Sequence, residues 1–260
     1  MMLAPVMAAP PGQQATGCLE ATVLFVVDGS GSMCEVFGGE TRWTALRSAL
    51  LAPMVGLIPQ LESQAQFGLM MYDGSIDLAI AGMATMTSPN PMCAGLGAFG
   101  ATQCPRLLQT PPKFMNAAAL STAFPFKELG GSTPTHLAMD AAVNQMMMSA
   151  AGKDPKSSPH VIILATDGQP NDICTGGLGG DGSAQKEAVL AAVDRGVQAG
   201  IRTFVISLAG ADQLLEAHLA DVAKRGDPMN PAAHTYSPMS PEQLQMDLRT
   251  LLGAALGCVL

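Results

Sequence analysis

The sequence VLFVVDGSGS, residues 23–32, joins a run of five apolar residues to one carboxylate and two hydroxyls. Continuous apolar runs rich in β-branched residues are typical of strands buried on both faces of a parallel sheet. We therefore predict a central strand over residues 21–27 that leaves the core at Asp28. Polar side chains directly after such a strand indicate a ligand-binding position at the carboxyl edge of the sheet.

The overall composition is that of a protein with a large core and few charges. Of the 260 residues, 48% are hydrophobic and 13% are charged, and the formal net charge is -8. The acidic balance and the lack of any Lys/Arg run exclude a nucleic-acid partner, because binding to phosphates needs clustered basic residues. The sequence has no apolar stretch of about 18 residues or more, so it predicts no transmembrane segment.

The N-terminal segment, residues 1–19, is apolar but lacks Lys and Arg and has only a short hydrophobic centre. Signal peptides carry a positive start and a longer apolar region. We interpret these residues as an N-terminal linker or signal remnant, with a truncated lipoprotein segment ending at Cys18 as an open alternative. Residues 20–260 are then one domain.

Beyond the first strand, predicted strands alternate with amphipathic helices, which indicates an α/β fold with a mostly parallel sheet. Asp73-Gly74 is typical of a tight hairpin, so the strand after it is expected to be antiparallel at the sheet edge. We predict a Rossmann-like, doubly wound, six-stranded sheet with one antiparallel edge strand and helices on both faces. The predicted strands are residues 21–27, 66–72, 76–80, 160–166, 201–208 and 233–236. The predicted helices are residues 41–61, 134–150, 183–198, 212–225 and a last one from 241.

Residues 83–126 interrupt this alternation. They are rich in Pro, Gly, Ser, Thr and Met, and they are too long for a simple connection. We interpret them as an insertion in the domain. Regular patterning resumes at GGSTPT, residues 130–135, where Pro134 suits the first turn of a helix and Thr133 is placed to cap it.

Three segments place oxygen-bearing side chains where a strand ends or a helix begins. They contain Asp28, Ser30 and Ser32, then Thr133, then Asp167. In an open α/β sheet, ligands bind beyond the carboxyl ends of the strands, where the strand order reverses. Carboxylates and hydroxyls without thiolate or imidazole favour a hard cation, Mg²⁺ first, with Mn²⁺ or Ca²⁺ as alternatives.

These five residues resemble the metal-ion-dependent adhesion site of von Willebrand factor A (vWA) domains, whose pattern is D-x-S-x-S, then a Thr, then an Asp. The resemblance covers about residues 20–257. It implies that Ser30, Ser32 and Thr133 are the main side-chain ligands, while Asp28 and Asp167 act through waters or hydrogen bonds to the serines. It also implies that the strands ending at Asp28 and Asp167 are neighbours.

The cysteines form no CxxC pair and no zinc-finger spacing with histidine. An even, scattered set suggests disulfides and an extracellular, periplasmic or cell-surface location, with six reduced thiols as the alternative. Given the implied strand neighbours, we expect three pairs: Cys34 with Cys174, Cys18 with Cys258, and Cys93 with Cys104.

The resemblance implies a divalent-metal-dependent adhesion or protein-binding module, whose partner is a protein that offers a carboxylate to the metal. Two alternatives stay open: a subunit of an intracellular chelatase-type ATPase, and a metal-dependent hydrolase. A hydrolase needs a nucleophile or base beside the ion, and these motifs offer Ser30 and Ser32 without His or Lys. We expect that the protein is not an enzyme.

The remaining polar residues near these segments are interpreted as structural. His136 follows Thr133 closely, and a capping or surface role is preferred for it. Asp73, Asp77 and Asp172 are most simply turn or surface groups, although Asp172 is close enough to Asp167 in sequence to be a neighbour of the site.

Overall fold

A computed structural model of the chain describes residues 19–74, 104–171, 174, 182–210, 212–258 and 260. The predicted linker at residues 1–19 lies outside them except for its last residue. The strands are β1 (Thr22–Asp28), β2 (Val36–Phe37), β3 (Glu40–Thr41), β4 (Gln66–Asp73), β5 (Arg106–Lys113), β6 (His160–Thr166) and β7 (Ile201–Ser207). The helices are α1 (Arg42–Leu51), α2 (Leu57–Leu61), α3 (Ala117–Ala123), α4 (Thr135–Ala150), α5 (Ser183–Gln198), α6 (Gln213–Gly226) and α7 (Pro241–Leu256).

The main sheet has the order β5-β4-β1-β6-β7, and β2 and β3 form a separate small hairpin. All neighbours in the main sheet are parallel except β5, which runs antiparallel to β4 at the edge. The chain goes from β1 to β4 on one side and returns to β6 on the other side. The strand order therefore reverses at β1, and the carboxyl ends of β1 and β6 meet there, which is where such sheets bind ligands.

The helices cover both faces of this sheet, and the side chains of β1 show the division. Val23, Phe25 and Val27 pack in one core with residues of α1, α2, α3 and α7. Leu24 and Val26 pack in a second core with α4, α5 and α6. All five side chains are fully buried, which is the physical reason for the uninterrupted apolar run. The mostly parallel, doubly covered α/β fold is confirmed.

The antiparallel edge strand is β5, which pairs with β4 from Phe67 to Asp73. The strand predicted at residues 76–80 lies outside the described residues. Both β5 and α3 come from the segment that the sequence analysis assigned to an insertion. Pro111 and Pro112 concealed the strand, but an edge strand tolerates proline because one side of it makes no ladder hydrogen bonds.

Two other predicted elements differ in the structure. The strand expected at residues 233–236 is reduced to a single bridge between Tyr236 and Ile206, so the described sheet has five strands rather than six. The helix expected over residues 41–61 is split into α1 and α2, and Met54 between them has a φ of 66°. None of the helices in the described part of the chain is long and apolar enough to span a bilayer.

His218 on α6 predicts a pH dependence of stability. The residue is buried, and its Nε2 atom has no hydrogen-bond partner among the described residues. Burial, assisted by the charge of Lys186, lowers the pKa of His218 from 6.5 to about 4. Below pH 6.5 the unfolded chain binds a proton here that the folded chain does not accept until about pH 4, so this residue destabilises the fold as the pH falls through that window.

We expect His218→Leu to remove this contribution. Between pH 7 and pH 4 the variant should lose less free energy of unfolding than the wild type, by at least about 1 kcal/mol and up to about 3 kcal/mol for a folded-state pKa of about 4, as measured by urea denaturation. His234→Leu, at an exposed position, is the matched control. Equal losses in the wild type and His218→Leu would show that His218 does not titrate in this way.

Candidate metal centre

Strand β1 delivers Asp28 to the carboxyl edge of the sheet, and the loop of residues 28–32 (the first loop) turns back over it. The Asp28 side chain is fully buried. Its Oδ1 accepts a hydrogen bond from the Ser30 amide at 2.9 Å, and its Oδ2 accepts one from the Thr166 hydroxyl at 2.6 Å. Asp28 therefore fixes the first loop against the end of β6.

The two serine hydroxyls of the first loop lie side by side. The Oγ atoms of Ser30 and Ser32 are 3.1 Å apart, and the Ser32 hydroxyl donates to Asp167 Oδ1 at 2.7 Å. The other oxygen of Asp167, Oδ2, accepts from Arg42 Nη1 at 2.7 Å. Together with the two hydrogen bonds to Asp28, these contacts give every carboxylate oxygen of Asp28 and Asp167 a protein donor. The serine hydroxyls retain lone pairs that can accept a further bond.

Thr133 stands on the second loop, residues 130–133, and is buried. Its amide donates to Asn171 Oδ1 at 3.2 Å, and its carbonyl accepts from the Asn171 amide at 3.0 Å. The predicted helix cap was wrong: α4 has Pro134 as its N-cap residue and no side-chain cap bond. A Cβ atom on Gly168 would lie 3.0 Å from Thr133 Oγ1, so the absence of a side chain there lets this hydroxyl sit against the loop after β6.

Backbone bonds tie the second loop to the first. The Gly31 amide donates to the Gly131 carbonyl at 3.1 Å, and the Gly130 amide donates to the Gly29 carbonyl at 2.9 Å. Gly131 has a φ of 143°, and a Cβ atom there would lie 2.8 Å from Asp73 Oδ2. Only glycine combines this backbone conformation with so close an approach.

An ion pair between a partly buried arginine and a buried aspartate supports the second loop from the side of β4 and β5. Arg106 donates to both carboxylate oxygens of Asp73 at 2.8 Å each, and to the Leu129 carbonyl at 2.9 Å. The Asp73 side chain is completely buried. The interpretation of Asp73 as a turn or surface group was therefore wrong, because it anchors β5 and the approach to the second loop.

Burial opposes the negative charges of the two aspartates of the site. Burial, and then the charge of Asp167, raise the pKa of Asp28 to about 7. Burial also raises the pKa of Asp167, although the Ser32 hydroxyl and Arg42 act in the opposite direction. A cation placed against the neighbouring hydroxyls would stabilise both carboxylates. The donor set is made of hydroxyl and carboxylate oxygens, so the residues present fit a hard divalent cation.

The structure brings the five predicted site residues to one edge of the sheet. Four of them share one hydrogen-bond network, and Thr133 lies against Gly168, the residue that follows Asp167. In the described part of the chain, no group of three or more His, Cys, Asp or Glu side chains is arranged to hold a metal. The candidate metal centre is this edge, because of its own hydroxyl and carboxylate oxygens. The predicted site residues are Asp28, Ser30, Ser32, Thr133 and Asp167.

Sequence reasoning missed three residues that position this site: Arg42, Thr166 and Asn171. Thr166 stands directly before Asp167, and its place at the strand end was the available signal. No local sequence pattern indicates Arg42 or Asn171 as a site residue.

The other polar residues singled out in the sequence are only partly described. Asp77 and Asp172 lie outside the described residues, and His136 is half-buried in the first turn of α4.

The disulfide at this edge differs from the expected pairs. Cys104 is bonded to Cys174, so the expected pairs Cys34–Cys174 and Cys93–Cys104 were wrong. Because β5 is antiparallel, its first residues lie at the edge where β6 ends, and this brings Cys104 to Cys174. Cys34 and Cys258 are also disulfide-bonded, and their partners lie outside the described residues. The expected pair of Cys18 with Cys258 therefore stays a prediction.

A family model described as the von Willebrand factor type A domain matches residues 108–250, more than half of the chain. The match contains Thr133 and Asp167, whereas Asp28, Ser30 and Ser32 precede it. No curated protein sequence matches the chain.

Solved structures share the fold at low sequence identity. The PilB minor pilin from Streptococcus sanguinis has a TM-score of 0.60 at 15% identity, over 94% of this chain and 64% of that one. The pilus adhesin SpaC from Lactobacillus rhamnosus GG has a TM-score of 0.62 at 15% identity, over 94% and 31%. Proximal thread matrix protein 1 from the mussel byssus, with a zinc-occupied MIDAS motif, has a TM-score of 0.55 at 13% identity, over 92% and 48%. The chain thus spans less than two thirds of each of these proteins.

Proposed function

The chain belongs to the von Willebrand factor type A domain family, and from this premise we propose that it is a protein-binding or adhesion module. Its candidate metal centre, loaded with a divalent cation, takes up an acidic group of a protein partner. The observation that carries this proposal is the arrangement of neutral hydroxyls in front of two buried carboxylates whose oxygens already accept protein hydrogen bonds.

This arrangement determines what each residue does. The hydroxyls of Ser30, Ser32 and Thr133 would hold the cation, while Asp28 and Asp167 orient the loops behind them. When bound, the divalent cation supplies a positive centre with a coordination position for an external oxygen. Because the three protein ligands are neutral, no protein carboxylate coordinates the ion directly, and a carboxylate of the partner is the favoured external ligand.

We propose Mg²⁺ as the ion, with Mn²⁺ or Ca²⁺ as alternatives. Hydroxyl and carboxylate oxygens are the ligands that hard cations prefer, and a small site with few protein ligands suits an ion that retains waters. The zinc in the MIDAS motif of the mussel byssus protein supports a divalent ion at such a site.

We propose binding rather than catalysis. The hydroxyls of Ser30 and Ser32 bond to each other, the Ser32 hydroxyl also bonds to Asp167, and among the described residues neither bonds to a His or Lys side chain. A serine nucleophile needs such a base, so the hydrolase alternative is not supported by the geometry.

We propose an extracellular or cell-envelope location. Cys104 and Cys174 form a disulfide, and structural disulfides persist in oxidising compartments. This bond argues against the chelatase-type intracellular alternative. The pilus proteins that share the fold support an adhesive role in this setting.

The proposed function is tested with a random peptide library displayed on phage and captured by the immobilised protein in Mg²⁺. We expect peptides released by EDTA to share an Asp or Glu, and their binding to be lost when that residue becomes Asn or Gln. Asp28→Asn protein should capture none of them. Capture that is insensitive to EDTA, or enrichment without an essential carboxylate, would refute the proposal.

A further inference from the structure

Arg42 is a basic side chain that bonds directly to two residues of the candidate metal centre. Its Nη1 atom donates to Asp167 Oδ2 at 2.7 Å and to the Ser32 carbonyl at 3.3 Å, and it pairs with Glu35 Oε2 at 2.8 Å. The Arg42 side chain is only 12% exposed, Asp167 is fully buried, and Glu35 is 58% exposed. A fixed positive charge therefore lies directly behind the site, with an exposed acid beside it.

The position of Arg42 gives no local reason for an arginine. It is the first residue of α1, where Thr41 already supplies the cap, and a positive charge at a helix N-terminus opposes the helix dipole. Its Nε atom is buried without a hydrogen-bond partner in the described part of the chain, which also costs stability. The ion pair with Asp167 is the favourable interaction that opposes these costs.

That contact has two consequences for a cation at the site, and both act in the same direction. Arg42 engages Asp167 Oδ2 in an ion pair, so this oxygen is not available as a direct ligand. Its positive charge also repels a second positive charge held by Ser30 and Ser32. Each effect weakens binding of the bare ion, and each leaves a bound ion less neutralised.

We propose that Arg42 is a positioning residue of the metal centre that keeps its affinity for the bare divalent ion low, with Glu35 as the partial counter-charge. This inference rests on the proposed function. It adds that the centre binds its ion in a form that still needs an external acidic ligand, and that it is not a structural metal site whose ligands all come from the protein.

Isothermal titration calorimetry with MgCl₂ measures the effect on the whole chain. Arg42→Gln should bind Mg²⁺ about tenfold more tightly than the wild type, a difference of about 1.4 kcal/mol. Arg42→Lys keeps the charge and should stay within about threefold of the wild type, while Glu35→Gln should bind about threefold more weakly. A purely structural role of Arg42 would not give opposite signs at positions 42 and 35.

Thermal unfolding provides a second measurement and a check on folding. In EDTA, Arg42→Gln should melt below the wild type because Asp167 loses its positive partner. Mg²⁺ should then raise its melting temperature more than that of the wild type, because tighter binding stabilises more. Arg47→Gln is the matched control: it removes the same charge from α1, but Arg47 bonds the carbonyls of Phe124 and Ser121 and should leave Mg²⁺ affinity unchanged.

The outcomes separate the two proposals. If the wild type binds Mg²⁺ and Arg42→Gln binds it no more tightly, the role of Arg42 is overturned and the metal centre stands. If neither the wild type nor any Arg42 variant binds Mg²⁺, the metal centre itself is overturned, and the role of Arg42 with it.

Discussion

Asp28→Asn should weaken Mg²⁺ binding by at least about 100-fold while the fold is retained. Asparagine has nearly the volume of aspartate, and its amide oxygen can accept from the Ser30 amide while its NH₂ group donates to the Thr166 hydroxyl. The first loop therefore keeps its hydrogen bonds. What disappears is the negative charge that Asp28 carries when a cation is bound at the neighbouring hydroxyls. Calorimetric titration with MgCl₂ measures the change.

Asp194→Asn is the matched control for this experiment. Asp194 pairs with Arg225 at the surface, where the two side chains are 44% and 45% exposed, and its substitution changes the net charge by the same amount. Its Mg²⁺ affinity should equal that of the wild type. If Asp28→Asn bound as tightly as this control, Asp28 would have no role in holding a cation.

Arg106→Met should destabilise the fold by about 3 kcal/mol, because breaking a buried ion pair from one side leaves a buried charge without its main compensation. Asp73 is fully buried and loses two short charge-assisted hydrogen bonds in this variant, and the Leu129 carbonyl loses a third. Methionine keeps much of the arginine's apolar volume, so the loss reports the charge and the hydrogen bonds. Urea denaturation measures the free energy of unfolding.

The surface pair of Arg225 with Asp194 again provides the comparison. Arg225→Met removes an ion pair whose side chains are 45% and 44% exposed, and it should cost less than about 1 kcal/mol. A cost for Arg106→Met no larger than this would mean that the pair with Asp73 is not an anchor. Because Arg106 supports the second loop, we also expect weaker Mg²⁺ binding in Arg106→Met than in Arg225→Met.

Local patterns in the sequence were sufficient to predict the two strands that carry the site. The apolar runs that became β1 and β6 have the composition of doubly buried strands, and each ends in its polar residue without a gap. Their adjacency in the sheet follows from the family resemblance and agrees with the observed register. The positions of Asp28, Ser30, Ser32 and Asp167 at one edge of the sheet could therefore be predicted from local sequence together with that resemblance.

What the sequence could not reveal are the contacts between distant residues. Arg42 and Asp167 are 125 residues apart in sequence, and Arg106 and Asp73 are 33 apart. No local pattern selects either partner. The edge strand β5 was concealed by its prolines, and the Cys104–Cys174 bond could not be predicted without the position of that strand. Charge pairing and disulfide connectivity thus shared one cause of error.

The most direct test of the metal centre is the anomalous diffraction of Mn²⁺ in crystals of the protein, recorded at the manganese absorption edge. We predict one strong peak at the carboxyl edge of β1 and β6, with the hydroxyl oxygens of Ser30, Ser32 and Thr133 as direct ligands, and no such peak in crystals of Asp28→Asn. A manganese peak coordinated by other residues, or none at these hydroxyls at saturating Mn²⁺, would contradict the account.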